Sequence, residues 1–158
     1  METRQIQEGD IPALLDLVAG TMTTSTREYI DEYSAYLDRH MRYYLQHEDR
    51  SAQYVALDGD KVVGFALAGV APEEDLDKYY FIDHSNPREP LSWILLEQIT
   101  VHAAHRGEKI GSMLLAKVAQ RAKEMGLKGV YTGTRGNTRL FYEKSGFVID
   151  KVYLKRPV

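Results

Sequence analysis

The strongest constraint on the fold lies where one apolar run ends. Trp93–Val101 reads as a strand with hydrophobic side chains on both faces, which suits the centre of a sheet. Beyond Val101 the chain passes through small and polar residues and reopens as an amphipathic helix over Lys109–Met125. Ile110, Met113, Leu114, Val118, Ala122 and Met125 recur on one face of that helix, and Gly126 ends it. A buried strand feeding such a helix sets backbone N–H groups at a helix N-terminus, just past the strand's end. Direct hydrogen bonds and the helix's positive end bind phosphate oxygens at such a place. Arg106 and Lys109 add positive charge, Gly107 allows unusual backbone angles, and Gly111 allows a close approach. Neither G-x-x-x-x-G-K-[ST] nor G-x-G-x-x-G is present. The residues alone leave two readings: a cradle for a phosphate-bearing cofactor, or a solvated strand–helix turn whose glycines ease the bend.

The flanking sequence supplies a mixed sheet around that strand. Arg4–Gln7 reads as a short first strand. Asp10 followed by Ile11 and Pro12 reads as a helix start, with Leu14, Leu15, Leu17 and Val18 buried and Gly20 at the end. Thr23–Ser25 offers the next cap. Ile30, Tyr33, Leu37, Met41, Tyr44 and Leu45 then recur at helical spacing to about His47, as one long helix or two broken ones. Ala52–Leu57, a turn at Asp58-Gly59-Asp60, and Lys61–Val70 form a hairpin. Ala71–Pro90 reads as a long polar connection, a length that goes with a binding or lid role or with an insertion. After the Lys109 helix come a strand at Gly129–Thr132, a short helix at Thr138–Lys144 ended by Gly146, and a last strand at Phe147–Leu154. The expected order is β-α-α-β-β-β-α-β-α-β, an α/β (α+β) mixed sheet with helices on both faces.

At 158 residues the chain is expected to be a single domain, 1–158. Without cysteine it has no disulfide, no thiolate nucleophile and no thiolate metal ligand, and no metal site is expected. A net charge of -3 offers no general attraction to nucleic acid or anionic membrane. The first residues carry charges and no apolar run, so the cytoplasm is the expected compartment. Six of the eleven tyrosines lie between Tyr29 and Tyr54, which marks a local surface or groove.

A second stretch, Asn137-Thr138-Arg139-Leu140-Phe141-Tyr142-Glu143-Lys144-Ser145-Gly146-Phe147, is a short helix, a glycine cap and a strand start. Tyr142 is its chemically interesting member: a phenol beside a cofactor thiol could protonate a departing thiolate. The alternative is an amphipathic tyrosine packed under the helix.

Together the two stretches resemble the GNAT superfamily of acyl-CoA N-acyltransferases, closely over Glu97–Phe147 and more weakly over Ile6–Val70. The family's run V-x-P-x-x-R-G-x-G-I-G-x-x-L-L is similar to Val101 through Leu115, with Arg106, Gly107, Ile110, Gly111, Leu114 and Leu115 matching. Ala103 replaces the common proline, and Lys109 replaces the usual middle glycine. The Lys109 N–H still reaches a phosphate there, with its side chain required to point away from the pyrophosphate path. The second family pattern, N-x-x-A-x-x-x-Y-E-K-x-G-F, is met by Tyr142-Glu143-Lys144-Ser145-Gly146-Phe147. Asn137 lies five residues before Tyr142 where seven is common, and Arg135 stands at the usual asparagine position. Either Asn137 contacts the pantetheine arm from a shortened turn, or that contact is lost.

The resemblance implies transfer of the acetyl group of acetyl-CoA (coenzyme A) to a primary amine by direct attack in a ternary complex. The pantetheine arm would lie where the central strand splays from its neighbour, along Ile99, Thr100 and Val101, with the N–H near Val101 polarising the thioester carbonyl. Arg106, Gly107, Glu108, Lys109, Ile110, Gly111 and Ser112 would hold the pyrophosphate, and Tyr142 would act as general acid. Glu97 is the first candidate for the base that deprotonates the amine. It interrupts an apolar strand, where a carboxylate is costly unless paired or functional. Strand parity puts it on the face of Ile99 and Val101. A carboxylate bonded structurally across the sheet, or facing water, is the other reading. His102 and His105 are further candidates, and His102 lies nearer the acetyl end. Tyr29, Tyr33, Tyr36, Tyr79 and Tyr80 would line the acceptor groove or pack helix against sheet. Glu73, Glu74, Asp75 and Asp77 would favour a cationic amine or be ordinary loop charges. The acceptor is expected to be a small-molecule or peptide amine, and an exposed last strand could pair across a homodimer. The rival reading is a GNAT-fold protein that binds acyl-CoA without turnover.

Overall fold

The computed structural model describes residues 1–70, 89–133, 139–150 and 153–158. In chain order these form β1 (Glu2–Gln5), α1 (Ile11–Ala19), α2 (Arg27–Gln46), β2 (Tyr54–Asp58), β3 (Lys61–Gly69), β4 (Trp93–Val101), α3 (Ile110–Glu124), β5 (Gly129–Thr132), α4 (Arg139–Lys144), β6 (Val148–Asp150) and β7 (Tyr153–Pro157). One mixed sheet holds all seven strands in the order β1-β2-β3-β4-β5-β7-β6. Among the described residues only β4 and β5 pair in parallel, joined through α3. The order expected from the sequence holds as far as α4. Beyond it the single strand expected over Phe147–Leu154 is an antiparallel pair, β6 with β7. The last strand is therefore no edge: β7 is inserted between β5 and β6.

Two apolar layers grip the sheet. On one face Ile110, Leu114, Val118 and Ala122 of α3 pack on Ala66, Ala68, Ile94 and Leu96. On the other, Leu14 and Val18 of α1 and Leu37, Met41 and Tyr44 of α2 pack on Val55, Phe65 and Leu67. The period-2 alternation of β3, Phe65 and Leu67 to one side and Ala66 and Ala68 to the other, feeds both layers. Gly69 fixes how closely α2 approaches, because a Cβ there would stand 2.1 Å from the Tyr44 ring.

The helix caps differ in detail from the sequence reading. Asp10 sits at the start of α1 but makes no side-chain cap bond to it. Its carboxylate instead accepts from the Gln7 N–H at 2.7 Å and pairs with Arg4 at 2.7 and 2.9 Å, so its lone pairs are committed elsewhere. The Arg4 guanidinium accordingly holds the Asp10 carboxyl below its ordinary range. The second helix is one unbroken element, and its cap is Thr26 rather than Thr23–Ser25, with Oγ1 accepting from the Tyr29 N–H at 3.2 Å.

One irregularity in β4 changes the site. Leu67 faces Gln98 and Ala68 faces Leu96, so Glu97 is an extra residue with no partner on β3. A bulge of this kind breaks strand parity. Ile94 and Leu96 before it, and Ile99 and Val101 after it, all belong to the α3 side. Glu97 and Gln98 both turn toward α2. The expectation that Glu97 shares the face of Ile99 and Val101 is thus corrected, because parity counted through Glu97 skips the bulge.

Candidate functional site

β4 runs past its neighbour. Its pairing with β5 covers Trp93, Ile94 and Leu95 only. Just beyond, the Thr132 hydroxyl donates to the Leu96 carbonyl at 3.2 Å, marking where the strands part. On the other side the ladder with β3 continues to Val101, and the next residue, His102, donates its N–H to Val63 O at 2.8 Å. In an antiparallel ladder hydrogen bonds alternate, so the N–H groups of Ile99 and Val101 turn the opposite way, toward the side β5 has left.

That open edge forms one wall of a groove of about 810 Å³. The opposite walls are the first turn of α3, with Lys109, Ile110, Gly111 and Ser112, and the α4 residues Phe141, Tyr142 and Lys144. Arg106 and Gly107 close one end. The first helical bond of α3 joins the Met113 N–H to Lys109 O at 3.0 Å, so the N–H groups of Ile110, Gly111 and Ser112 lie ahead of it. The groove thus combines a strand edge that has no ladder partner among the described residues with a helix N-terminus. A chain bearing amides at one end and phosphates at the other fits both walls.

The glycines and Lys109 have separate jobs. Gly107 has φ 84°, a left-handed conformation that suits glycine. Lys109 also lies there, with φ 64°, and it alone among the described non-glycine residues does so. The position where the family pattern has its middle glycine therefore needs left-handed backbone, and lysine adopts it at a cost of about 1–2 kcal/mol. Gly111 serves packing: a Cβ there would stand 3.0 Å from the Phe141 ring, so α4 is seated directly on the first turn of α3. Glu108 is not part of the groove wall. Its carboxylate lies 3.1 Å from His105 Nδ1.

Tyr142 is buried at the groove, in the core cluster with Phe147. Burial pushes its phenol above the ordinary tyrosine range, and a hydrogen bond with Thr132 pulls it partly back. The group therefore stays protonated through neutral pH. Thr132, touching both Leu96 and Tyr142, ties the parting of the strands to this phenol.

The other face of β4 carries a polar cluster, which shares Gln98 and Thr100 with the lining of the groove. Tyr36 donates its hydroxyl to Glu97 Oε1 at 2.7 Å, and His40 Nδ1 lies 2.7 Å from the same oxygen. Tyr33 donates to Gln98 Oε1 at 2.5 Å, and Gln98 Nε2 donates to Thr100 Oγ1 at 2.7 Å. Tyr29, Tyr33 and Tyr36 run along α2 as near-parallel rings, and the Tyr36 ring lies 4.2 Å from that of His40. His102 is engaged locally, its Nδ1 accepting from the Ala104 N–H at 3.2 Å. Tyr79, Tyr80, the acidic residues 73–77, Arg135 and Asn137 lie outside the described residues. His40 and Gln98 were missed in the sequence. The available signal for His40 was its place four residues after Tyr36 and four before Tyr44, on one helix face.

Comparison with known proteins agrees with this architecture. Residues 20–147 match the family model described as the acetyltransferase (GNAT) family. The chain belongs to that family. Its fold is shared by PaiA N-acetyltransferase from Thermoplasma acidophilum in complex with coenzyme A, at TM-score 0.73 and 15% identity over 99% of this chain and 98% of that one. It is shared too by ribosomal-protein-alanine N-acetyltransferase from Brucella melitensis, at TM-score 0.69 and 19% identity over 100% of both chains. Rv2747 from Mycobacterium tuberculosis, in complex with CoA and NLQ, aligns at TM-score 0.61 and 18% identity over 95% of this chain and 74% of that one. No curated protein sequence matches the chain. Among the described residues no helix is long and apolar enough to cross a membrane.

Proposed function

We propose that the protein transfers the acetyl group of acetyl-CoA to a primary amine, small or peptide-borne, by direct attack within a ternary complex. One observation carries the reading: past Leu95 the edge of β4 that β5 has left faces both the N-terminus of α3 and the Tyr142 phenol across a single groove. Family membership and two structural relatives solved with coenzyme A support the choice of ligand.

In this reading each residue has a bounded task. Arg106, Gly107 and the first N–H groups of α3, from Lys109 to Ser112, hold the pyrophosphate; the helix's positive end and two cations favour it. Ile99 and Val101 offer backbone N–H and C=O groups to the pantetheine amides. The Val101 N–H stabilises charge developing on the thioester oxygen. Tyr142, kept protonated by burial, gives its proton to the departing thiolate. Glu97 takes a proton from the incoming ammonium, directly or through one water, so that nitrogen has a lone pair to attack with. When bound, acetyl-CoA supplies the activated thioester, and the protein supplies orientation, charge and two proton positions.

Calorimetry with acetyl-CoA followed by a thiol-release assay over a panel of amines tests this. The expected result is binding together with turnover on at least one amine. Binding with no turnover on any of them would favour an acyl-CoA-binding protein instead.

A further inference from the structure

We propose that His40 is a positioning residue for the proton-transfer step, holding Glu97 Oε1 so that the buried Oε2 alone is left to receive the acceptor's proton. The inference rests on the reading of Glu97 as the base. It starts from an asymmetry in one carboxylate. Glu97 Oε1 is held twice, by the Tyr36 hydroxyl at 2.7 Å and by His40 Nδ1 at 2.7 Å. Glu97 Oε2 is buried and has no hydrogen-bond partner among the described residues. The Glu97 side chain is only 2% exposed, so an oxygen left unserved there is costly. A carboxylate whose only task was to tie α2 to the sheet would gain by engaging both oxygens. Two donors on one oxygen and none on the other suits a group that must accept a proton at a defined atom.

His40 is itself well fixed. Its ring lies 4.2 Å from that of Tyr36 and 6.4 Å, edge-on, from that of Tyr44. Tyr44 in turn rests on Gly69 of β3. The sheet thus sets α2, α2 sets the His40 ring, and the ring sets the carboxylate. The bulge at Glu97 is what turns that carboxylate toward α2 at all. In the step itself an N–H bond of the ammonium breaks, an O–H bond forms at Glu97 Oε2, and the nitrogen keeps the electron pair for attack. The carboxylate becomes a neutral acid while the Nδ1–H of His40 stays on Oε1, so the imidazole neither gains nor loses a proton.

Two substitutions separate positioning from packing. His40→Phe keeps a ring for Tyr36 and removes the donor. His40→Asn loses the ring but sets an amide N–H near the Nδ1 position. A base misplaced by about 1 Å costs up to about 100-fold, so His40→Phe should lower kcat about 10- to 100-fold. Its acceptor KM and acetyl-CoA Kd should stay within about twofold of the parent, since neither binding surface is touched. His40→Asn should recover most of kcat. A His40→Phe enzyme with unchanged kcat would overturn the proposal, as would a His40→Asn enzyme as slow as His40→Phe. If His40→Phe does not fold, His40→Asn combined with Tyr36→Phe puts the same question to a single remaining donor. A fall in kcat well short of that in Glu97→Gln then supports the proposal, and a fall equal to it overturns it. Glu97→Gln measured alongside keeps the two levels apart. A fast Glu97→Gln enzyme sinks the base assignment itself, whereas a slow one beside a fast His40→Phe sinks only the role of His40.

Discussion

The two faces of β4 present different chemistry within a few residues of each other. Toward α3, Ile99 and Val101 present the edge that β5 has left to a helix N-terminus and a buried phenol, a surface shaped for an extended phosphate-bearing ligand. Toward α2, Glu97 and Gln98 meet Tyr36, His40 and Tyr33 in a compact hydrogen-bonded cluster. One extra residue separates the two, because the bulge at Glu97 sends that side chain away from the face its neighbours occupy. A strand that only continued its alternation would set Glu97 on the side of Ile99 and Val101. The difference teaches that a one-residue bulge can send neighbouring side chains of a single strand into two unlike environments, assigned in the proposed function to cofactor holding and proton handling.

The sharpest way to break this division is to damage one face and watch the other. Glu97→Gln keeps an acceptor for Tyr36 and His40 but cannot take the amine proton. General base catalysis is worth about 100- to 10,000-fold, so kcat should fall by at least about 100-fold. The acetyl-CoA Kd, read by calorimetry, should not move; a weakened Kd would show that the two faces are not independent. Tyr142→Phe probes the α3 face. It should lower kcat by about 100-fold, the low end for a lost proton donor, while leaving the folded chain intact, because the ring still fills its place in the core. A thioester with a more acidic leaving thiol should recover part of that loss, and no recovery would argue against a proton donor.

Smaller effects concern the scaffold. Gly69→Ala drives a methyl group into the Tyr44 ring, and overpacking of this kind costs about 1–3 kcal/mol. Urea unfolding should show that loss, and turnover should fall with it because α2 carries His40. Lys109→Gly relieves a left-handed lysine worth about 1–2 kcal/mol, offset in part by the freedom glycine loses on folding. A net gain of about 0.5–1 kcal/mol is expected, with a weaker acetyl-CoA Kd if the ammonium helps hold phosphate. The smallest effect is a pH dependence. Burial raises both Tyr142 and Tyr54, so the unfolded chain loses these protons first as pH climbs. The stability they contribute is complete below the unfolded tyrosine value, near about pH 10, and is lost as pH rises through the higher folded values. Tyr142→Phe should flatten that alkaline decline in thermal melts.

Much of the α3 face was legible in the sequence. The helical spacing of Ile110, Leu114 and Val118 and the arginine, glycines and leucines around them are local patterns, and local patterns survive folding. The boundaries of β4 and β5 were legible because both are short apolar runs. The α2 face was not. A bulge is a property of pairing, set by Leu67 meeting Gln98 while Ala68 meets Leu96, and nothing in Leu95-Leu96-Glu97-Gln98 announces it. His40 hid among tyrosines on an amphipathic helix because its partner stands 57 positions away in the sequence, on β4. The final hairpin was read as one strand because no glycine or proline separates β6 from β7. For Tyr33 and Tyr36 the packing reading holds: both rings pack against the core under α2, and their hydroxyls reach β4.

A crystal structure with coenzyme A tests most directly whether β4 holds cofactor and base on opposite faces. The pantetheine arm is expected along the Ile99–Val101 edge, the pyrophosphate at Arg106 and the first turn of α3, and the sulfur beside the Tyr142 hydroxyl, with Glu97 still held by Tyr36 and His40 across the strand. Coenzyme A seated on the α2 face, or a sulfur far from Tyr142, would contradict this arrangement.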